Sequence, residues 1–165
     1  MKLLLILLLL VGTVSWSDIQ FFNSGNASTQ EQCYDITFSN PSTTGRWGVG
    51  FRRSNLNPPH ILVSYTGTEW KFLQAIELNI YTNSGITQVV LPFADVQRSE
   101  DMLYVYEEID IEITPAFLAF LLAADEVDYQ IVYAPDYQVL ESYSNKLTYN
   151  DLTALQEFFS IEHEE

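Results

Sequence analysis

The residues of this sequence that most resemble a catalytic or metal-binding site are three acidic residues at alternate positions, Glu108, Asp110 and Glu112. In an extended chain, alternate side chains project to the same face about 6.5 to 7 Å apart. Carboxylates in such a row repel one another, which raises their proton affinity unless solvent or a cation screens them. The row is compatible with a carboxylate-dependent hydrolase, a calcium site or the solvated face of a strand. We favour the solvated face, because one strand would supply every carboxylate and the tight loop of a calcium hand is absent.

Basic residues are few, and three of them, Arg46, Arg52 and Arg53, lie within eight positions. They could contact an anion or a partner, or pair with acidic residues of the same chain. The predicted strands are also rich in tyrosine, and Tyr129 is the tyrosine that we include among the candidate binding residues. Strand tyrosines usually pack in the core, but a half-exposed row can bind a partner. The candidate binding residues are Glu108, Asp110, Glu112, Arg46, Arg52, Arg53 and Tyr129.

Nucleophilic and metal chemistry have little support. Cys33 is the one cysteine, so the chain cannot form an internal disulfide, and we expect a small buried residue there. A catalytic pair of Cys33 with His60 is disfavoured because His60 directly follows two prolines at the start of a predicted strand. The sequence has neither a Gly-x-Ser-x-Gly elbow nor a phosphate-binding Gly-Lys-Ser/Thr loop. We therefore predict no catalytic residue and no cofactor, with calcium kept as the alternative.

The formal net charge of −15 is concentrated in the second half of the chain. Residues 18–94 contain five acidic and four basic residues, whereas residues 95–165 contain seventeen acidic and two basic ones. Such a field repels nucleic acid and anionic membrane surfaces, so neither is an expected partner. A basic protein or a cationic ligand is compatible with it, and so is an acidic surface that only maintains solubility.

Strands must position most of these side chains, because β-branched and aromatic residues alternate with polar ones along the chain. Gly48 and Gly50 predict a bulge or a close approach of neighbouring backbone. The clearest hairpin joins residues 70–80 to residues 86–91, with a turn at residues 83–85. Another turn is expected at residues 40–45 and a polar connector at residues 95–101. The remaining predicted strands cover residues 19–22, 33–39, 47–53, 61–65, 103–113, 126–134 and 137–143.

Two helix starts are specific. Thr114 followed by Pro115 is typical of an N-cap with proline at the first helical position, and an apolar stretch follows. Thr148 with Asp151 three residues later resembles a capping box, opening a helix to about residue 160. Many strands followed by helix, strand, strand, helix predict an α+β fold. In detail, we expect mainly antiparallel β structure, a sandwich-like sheet, with two short helices in the C-terminal third.

Residues 1–17 predict a secretory signal peptide, with Lys2, an apolar run at residues 3–11 and small residues at Ser15 and Ser17. The apolar run is shorter than the roughly 20 residues of a membrane-spanning helix, and no second run follows, so we expect no membrane insertion. Cleavage would leave one domain at residues 18–160 and an acidic tail at residues 161–165. The predicted location is secreted or periplasmic. Asn26 begins a glycosylation sequon that matters only in a eukaryotic host.

These patterns favour an exported soluble domain with a non-catalytic binding or structural role. One alternative is an acidic inhibitor or immunity-type protein for a cationic enzyme, because electrostatic steering favours such a pair. Another is a carboxylate-dependent hydrolase that uses Glu108, Asp110 and Glu112.

Overall fold

The computed structural model describes residues 16–22 and 32–160. Positions 1–15 of the predicted signal peptide, the Asn26 sequon and the acidic tail at residues 161–165 lie outside them. Positions 16 and 17 belong to the first strand, so cleavage after Ser17 would leave residues 18–22 of it.

The described chain forms two antiparallel sheets and two helices. Sheet A has the strand order β1-β2-β3-β4-β8-β7, and sheet B has the order β10-β9-β5-β6. The predicted class, mainly antiparallel β with two helices in the C-terminal third, is confirmed. The elements are β1 (Trp16–Phe22), β2 (Cys33–Ser42), β3 (Gly45–Ser54), β4 (His60–Gly67), β5 (Leu73–Thr82), β6 (Gly85–Pro92), β7 (Gln97–Glu100), β8 (Val105–Glu112), α1 (Pro115–Leu122), β9 (Glu126–Tyr133), β10 (Glu141–Leu147) and α2 (Tyr149–Ser160).

The core lies between the two sheets, which pack face to face. Alternate residues of the central strands are buried in a single cluster that draws on both sheets and both helices. Trp47 of β3 crosses this interface, with its ring stacked on that of Tyr143 at 4.9 Å and tilted against that of Tyr133 at 5.2 Å. Burial of such large aromatic rings makes a substantial contribution to the attachment of sheet A to sheet B.

The glycines of β3 allow its neighbours to approach closely. A Cβ at Gly50 would lie 2.7 Å from the carbonyl oxygen of Ile36, and one at Gly48 would lie 2.5 Å from the Ser64 hydroxyl. The β2–β3 register continues past both positions without a shift. Close approach, and not a bulge, is therefore the reason for glycine here.

The helices begin where the sequence predicts. Thr114 is the N-cap of α1, and its hydroxyl accepts the N–H of Phe117. At α2 the Thr148 N–H donates to the Asp151 carboxylate at 2.8 Å, and the Asp151 N–H donates to the Thr148 hydroxyl at 3.3 Å. Within residues 16–22 and 32–160, neither helix has the length and apolar character needed to cross a membrane.

Strand pairing sorts the connections into two ends of the sandwich. Gly45, Gly67, Val105 and Glu100 are successive partners across sheet A, and Leu73, Tyr133 and Glu141 are successive partners across sheet B. The segments that adjoin these positions share one end, which we call the loop end; they are residues 43–44, 68–72, 101–104 and 134–140. Both helices begin at the opposite end, which we call the helical end.

Several predicted boundaries are wrong, each for a local reason. The turn expected at residues 40–45 is confined to residues 43–44; Pro41 stays in β2, beyond the part that pairs with β1, where its missing N–H costs no hydrogen bond. The connector at residues 95–101 contains β7. The strand expected at residues 137–143 begins only at Glu141, because Asp136 closes a turn before it. Residues 70–72 lie outside β5, because the left-handed conformation of Phe72, with φ of 55°, interrupts the extended chain before Leu73.

The capping box predicts a measurable contribution to stability. Thr148→Ala removes the hydroxyl that accepts the Asp151 N–H, and we expect a loss of about 1 kcal/mol of unfolding free energy. Thr148→Ser keeps the acceptor and should stay close to the wild type. Urea unfolding of the two variants measures the difference, and equal midpoints for Ala and Ser would contradict the cap.

Candidate functional site

The predicted acidic row lies on the outer face of sheet A, away from the core. Glu108, Asp110 and Glu112 are exposed, while Ile109 and Ile113 on the opposite face are buried. The side chains therefore alternate as the sequence predicts.

Arg52 connects four neighbouring strands on this outer face. Its Nε and Nη2 donate to the two carboxylate oxygens of Asp35 at 2.7 and 2.8 Å, and its Nη1 donates to Asp110 at 2.5 Å. The second oxygen of Asp110 contacts Nδ1 of His60. Asp35 is buried, so this bidentate pair compensates the removal of its charge from water. The hydrogen bond to Asp35 is also the main reason that the pKa of Arg52 is raised, which keeps the guanidinium charged.

The other two arginines lie elsewhere. Arg53 is on the inner face of β3, with its guanidinium 5.0 Å from the ring centre of Tyr34 and 4.8 Å from that of Phe158 in α2. Burial lowers the pKa of Arg53. Arg46 is exposed at the loop end, six residues and about 20 Å along β3 from Arg52. The three arginines therefore do not form a common surface.

Cys33, His60 and Tyr129 are also not assembled into a site. Cys33 is buried in β2, as the sequence predicts, and it is separated from His60 in β4 by two strand spacings, about 9.5 Å, and by an offset of two residues along the strands. Tyr129 is only 2% exposed, and its hydroxyl accepts a long hydrogen bond of 3.5 Å from Asn40. Burial is the main reason that its pKa is raised. Its ring belongs to the core and is not on the surface.

The outer face of sheet A therefore offers little chemistry. Glu108, Asp110 and Glu112 project the same way from one strand and cannot flank a substrate bond from two sides. Asp110 is already engaged by Arg52 and His60. In the part of the chain described here, residues 16–22 and 32–160, no three His, Cys, Asp or Glu side chains are grouped to hold a metal ion.

The loop end has a different character, because large apolar side chains are exposed there. Met102 is fully exposed, and Leu103, Tyr137 and Leu140 are 73, 71 and 68% exposed. Val139 is also exposed. These residues lie at the tips of two loops, 101–104 and 134–140, which come from different sheets.

Asp101 closes the first loop. One carboxylate oxygen accepts the N–H groups of Leu103 and Tyr104, each at 2.8 Å, and the other accepts the Tyr106 hydroxyl at 2.7 Å. The Asp101 N–H also donates to the Tyr104 carbonyl. The Tyr106 bond, followed by the two backbone bonds, lowers the pKa of Asp101. The loop is thus a closed hydrogen-bonded turn that presents Met102 and Leu103 to solvent.

Asp136 closes the second loop in the same way. Its carboxylate accepts the N–H groups of Gln138 and Val139, each at 3.0 Å, and these bonds lower its pKa. Tyr137 takes a left-handed conformation, with φ of 61°, and its ring lies 4.1 Å from that of Phe72. The loop is therefore attached to the segment that joins the two sheets.

That joining segment is bound by a buried carboxylate. Glu107 of β8 has no exposed surface, and its two oxygens accept the N–H groups of Lys71, Phe72 and Leu73 at 2.6, 2.8 and 3.1 Å. Arg98 donates from Nε to the same carboxylate at 3.3 Å. Phe72 has φ of 55°, a strained value for a non-glycine residue, which turns three successive N–H groups toward Glu107.

An open depression of about 470 Å³ lies beside the first loop. Tyr104 forms one wall and Arg46 another, so this candidate arginine borders the loop end. The other lining residues are Pro41, Thr43, Thr44, Gly45, Thr66, Gly67 and Thr68. The depression is formed mainly by polar and glycine residues beside the exposed apolar tips.

Comparison of the chain with protein-family models, with curated proteins and with solved structures found no match. The function must therefore be inferred from the residues of this chain alone.

The sequence reasoning missed the loop end, although two signals were present. Apolar residues follow Asp101 and Asp136 within three positions, and an aspartate there commonly accepts the N–H groups of the residues two and three positions later. Glu107 has the same parity as Ile109, Ile111 and Ile113, so the alternation of β8 already places it on the core face.

Glu107 should contribute strongly to the stability of the segment that joins the two sheets, whereas its neighbour Glu108 should contribute little. Glu107→Gln keeps the size but replaces one acceptor oxygen by an NH₂ that faces N–H donors, so we expect a loss of about 1 to 3 kcal/mol of unfolding free energy. Glu108→Gln, on the exposed face of the same strand, is the matched control and should change it by less than about 0.5 kcal/mol. Urea unfolding of both proteins decides, and equal effects would refute the role assigned to Glu107.

The two loop carboxylates predict a pH dependence. Because the folded pKa values of Asp101 and Asp136 lie below the ordinary 3.8, their hydrogen bonds are complete above that value and are lost as pH falls through the lower folded values. Protection of the Leu103 and Val139 N–H groups against hydrogen exchange should therefore fall in this acid range. The Thr44 N–H, which donates to the non-titrating Ser42 hydroxyl, is the control. Parallel loss of protection at all three would contradict this assignment.

Proposed function

We propose that this chain is a non-catalytic binding domain that recognises a basic protein through the loop end. The observation that carries the proposal is the exposure of large apolar side chains on two loops whose conformations are fixed by Asp101 and Asp136. A turn that is already ordered loses less conformational entropy on binding than a flexible loop. Rigid aromatic and aliphatic tips are suited to enter a pocket on a partner.

The charge around the tips supports a basic partner. Glu69, Glu100, Asp101, Asp136 and Glu141 all belong to the loop-end segments or adjoin them directly. A cationic rim on the partner would meet these carboxylates, while its apolar centre would contact the uncharged tips. Attraction between the two fields would speed encounter and weaken with salt.

Export to the periplasm or the extracellular space forms part of the proposal. Its support is the signal-peptide pattern of residues 1–17. The partner would then be another exported protein or one at the cell surface.

A narrower form of the proposal makes the partner a cationic enzyme, with this chain as its inhibitor or immunity-type protein. The projecting, internally bonded loops favour this form, because such loops can occupy a cleft without rearranging. The carboxylate-dependent hydrolase has less support, since the acidic row is exposed on one strand and Asp110 is held in an ion pair.

Crosslinking from the loop tip tests the proposal. Protein with a photoreactive residue at position 103 is irradiated with exported proteins of the host, and the captured protein is identified, purified and titrated. We expect a basic protein whose affinity for the double variant Leu103→Ser/Leu140→Ser falls at least about tenfold and weakens as NaCl rises.

Leu56→Ser is the control, because Leu56 is an exposed leucine at the helical end. The proposal fails if no protein is captured at low salt, or if both sets of variants bind the partner as the wild type does. Affinity that is independent of salt would remove the basic partner and the cationic enzyme.

A further inference from the structure

β6 is an edge strand whose only usual protection against pairing is Pro92 at its end. It bonds to β5 on one side, and among residues 16–22 and 32–160 no strand lies on its other side. Its eight residues, Gly85–Pro92, contain no charge. Ile86 is 66% exposed and Val90 is 52% exposed. A long, uncharged and apolar edge is a template for a further strand.

Two other edge strands, β7 and β10, are protected. β7 has only four residues and includes Arg98 and Glu100. β10 carries the exposed charges of Glu141 and Lys146 and is contacted by α2. Since these protections are absent from β6, its composition needs another explanation.

The pairing with β5 shows which backbone groups of β6 face outward. Thr82 and Gly85 flank a two-residue turn, so they form a hydrogen-bonded pair, and every second residue of β6 from Gly85 bonds to β5. Ile86, Gln88 and Val90 consequently direct their N–H and C=O groups to the free edge. Pro92 follows at the next outward position, where the missing N–H belongs to the free side.

We propose that β6 pairs with β6 of a second copy of this chain, antiparallel about a twofold axis at Gln88. In this register Gln88 lies opposite Gln88 of the partner copy, and Ile86 lies opposite Val90. All outward N–H groups then find carbonyl acceptors, and the proline lies beyond the paired segment. Ile86 meets Val90 on the outer face and Thr87 lies opposite Val89 on the other, and sheet B continues into its copy as one sheet.

The absence of charge on β6 is the reason to favour a second copy. Two chains of −15 repel at long range, and this register is compatible with contact because it places no charged residues opposite each other. One strand pair is smaller than a standard protein interface, so we expect a weak dimer in the micromolar range. Salt should strengthen it by screening the repulsion, the opposite of its effect on the proposed basic partner.

Sedimentation velocity of the full chain over a concentration series tests the dimer at about 0.05 and 0.5 M NaCl. The wild type should associate more strongly at the higher salt. Gln88→Glu places two carboxylates opposite each other, and Gln88→Pro removes a central outward N–H, so both should weaken association at least about tenfold. Ser144→Glu adds the same charge to β10, the other edge of sheet B, and should dimerise like the wild type.

Cysteine crosslinking tests the register. Opposite residues of a hydrogen-bonded pair have Cα atoms about 5.5 Å apart, within disulfide range, so Gln88→Cys should form a covalent dimer under mild oxidation. Val90→Cys is equally on the edge, but residue 90 of the two copies would be about 13 Å apart, so it should not. A wild type that stays monomeric without a Gln88→Cys crosslink overturns the proposal. A dimer that persists in both the Gln88→Glu and the Gln88→Pro variants also overturns the proposal. The proposal is likewise overturned if the chain is monomeric and β6 pairs with a strand of a different protein.

Discussion

One buried carboxylate determines how the two sheets are joined at the loop end. Glu107 extends from sheet A and accepts three successive N–H groups at the entrance to sheet B. These charge-assisted bonds are made by a buried carboxylate, where leaving them unmade would be costly, so the crossing segment has little freedom. Phe72 in that segment contacts Tyr137, and Arg98 lies over its ring. The position of the apolar second loop therefore depends on the hydrogen bonds between Glu107 and the segment that contains Phe72.

The charged network on the outer face of sheet A has a different role. Arg52 holds the buried Asp35 and the exposed Asp110, and Asp110 contacts His60, so this network connects four adjacent strands. Buried ion pairs contribute little net stability when they are intact, but removing one partner leaves an uncompensated charge. This network therefore explains Arg52 and Asp110, two of the candidate site residues, by contacts within the chain. Neither residue requires a substrate to account for its position.

Local patterns predicted most of the strands, both helix caps and the outward direction of Glu108, Asp110 and Glu112, because alternation and capping depend on neighbours in the chain. The same alternation places Glu107 inside. The alternation does not reveal which N–H groups Glu107 accepts. These donors lie 34 to 36 residues away in the sequence, and the conformation of Phe72 turns them toward the carboxylate. Arg52 and Arg53 are adjacent in sequence but lie on opposite faces of β3, so their nearness in the sequence suggested a cluster that a strand cannot form.

The distribution of charge restricts where so acidic a protein can make contacts. An acidic surface repels another acidic molecule, and among residues 16–22 and 32–160 the tips of the loop end and the free edge of β6 have no charge on the residues that would touch. They differ in what surrounds them. Carboxylates rim the loop end, which suits a basic protein, whereas the rows of β6 are uncharged on both faces and complement a copy of themselves. Since the loop end and β6 offer separate groups, the two contacts do not compete for the same residues, and a dimer would present two loop ends to its partners.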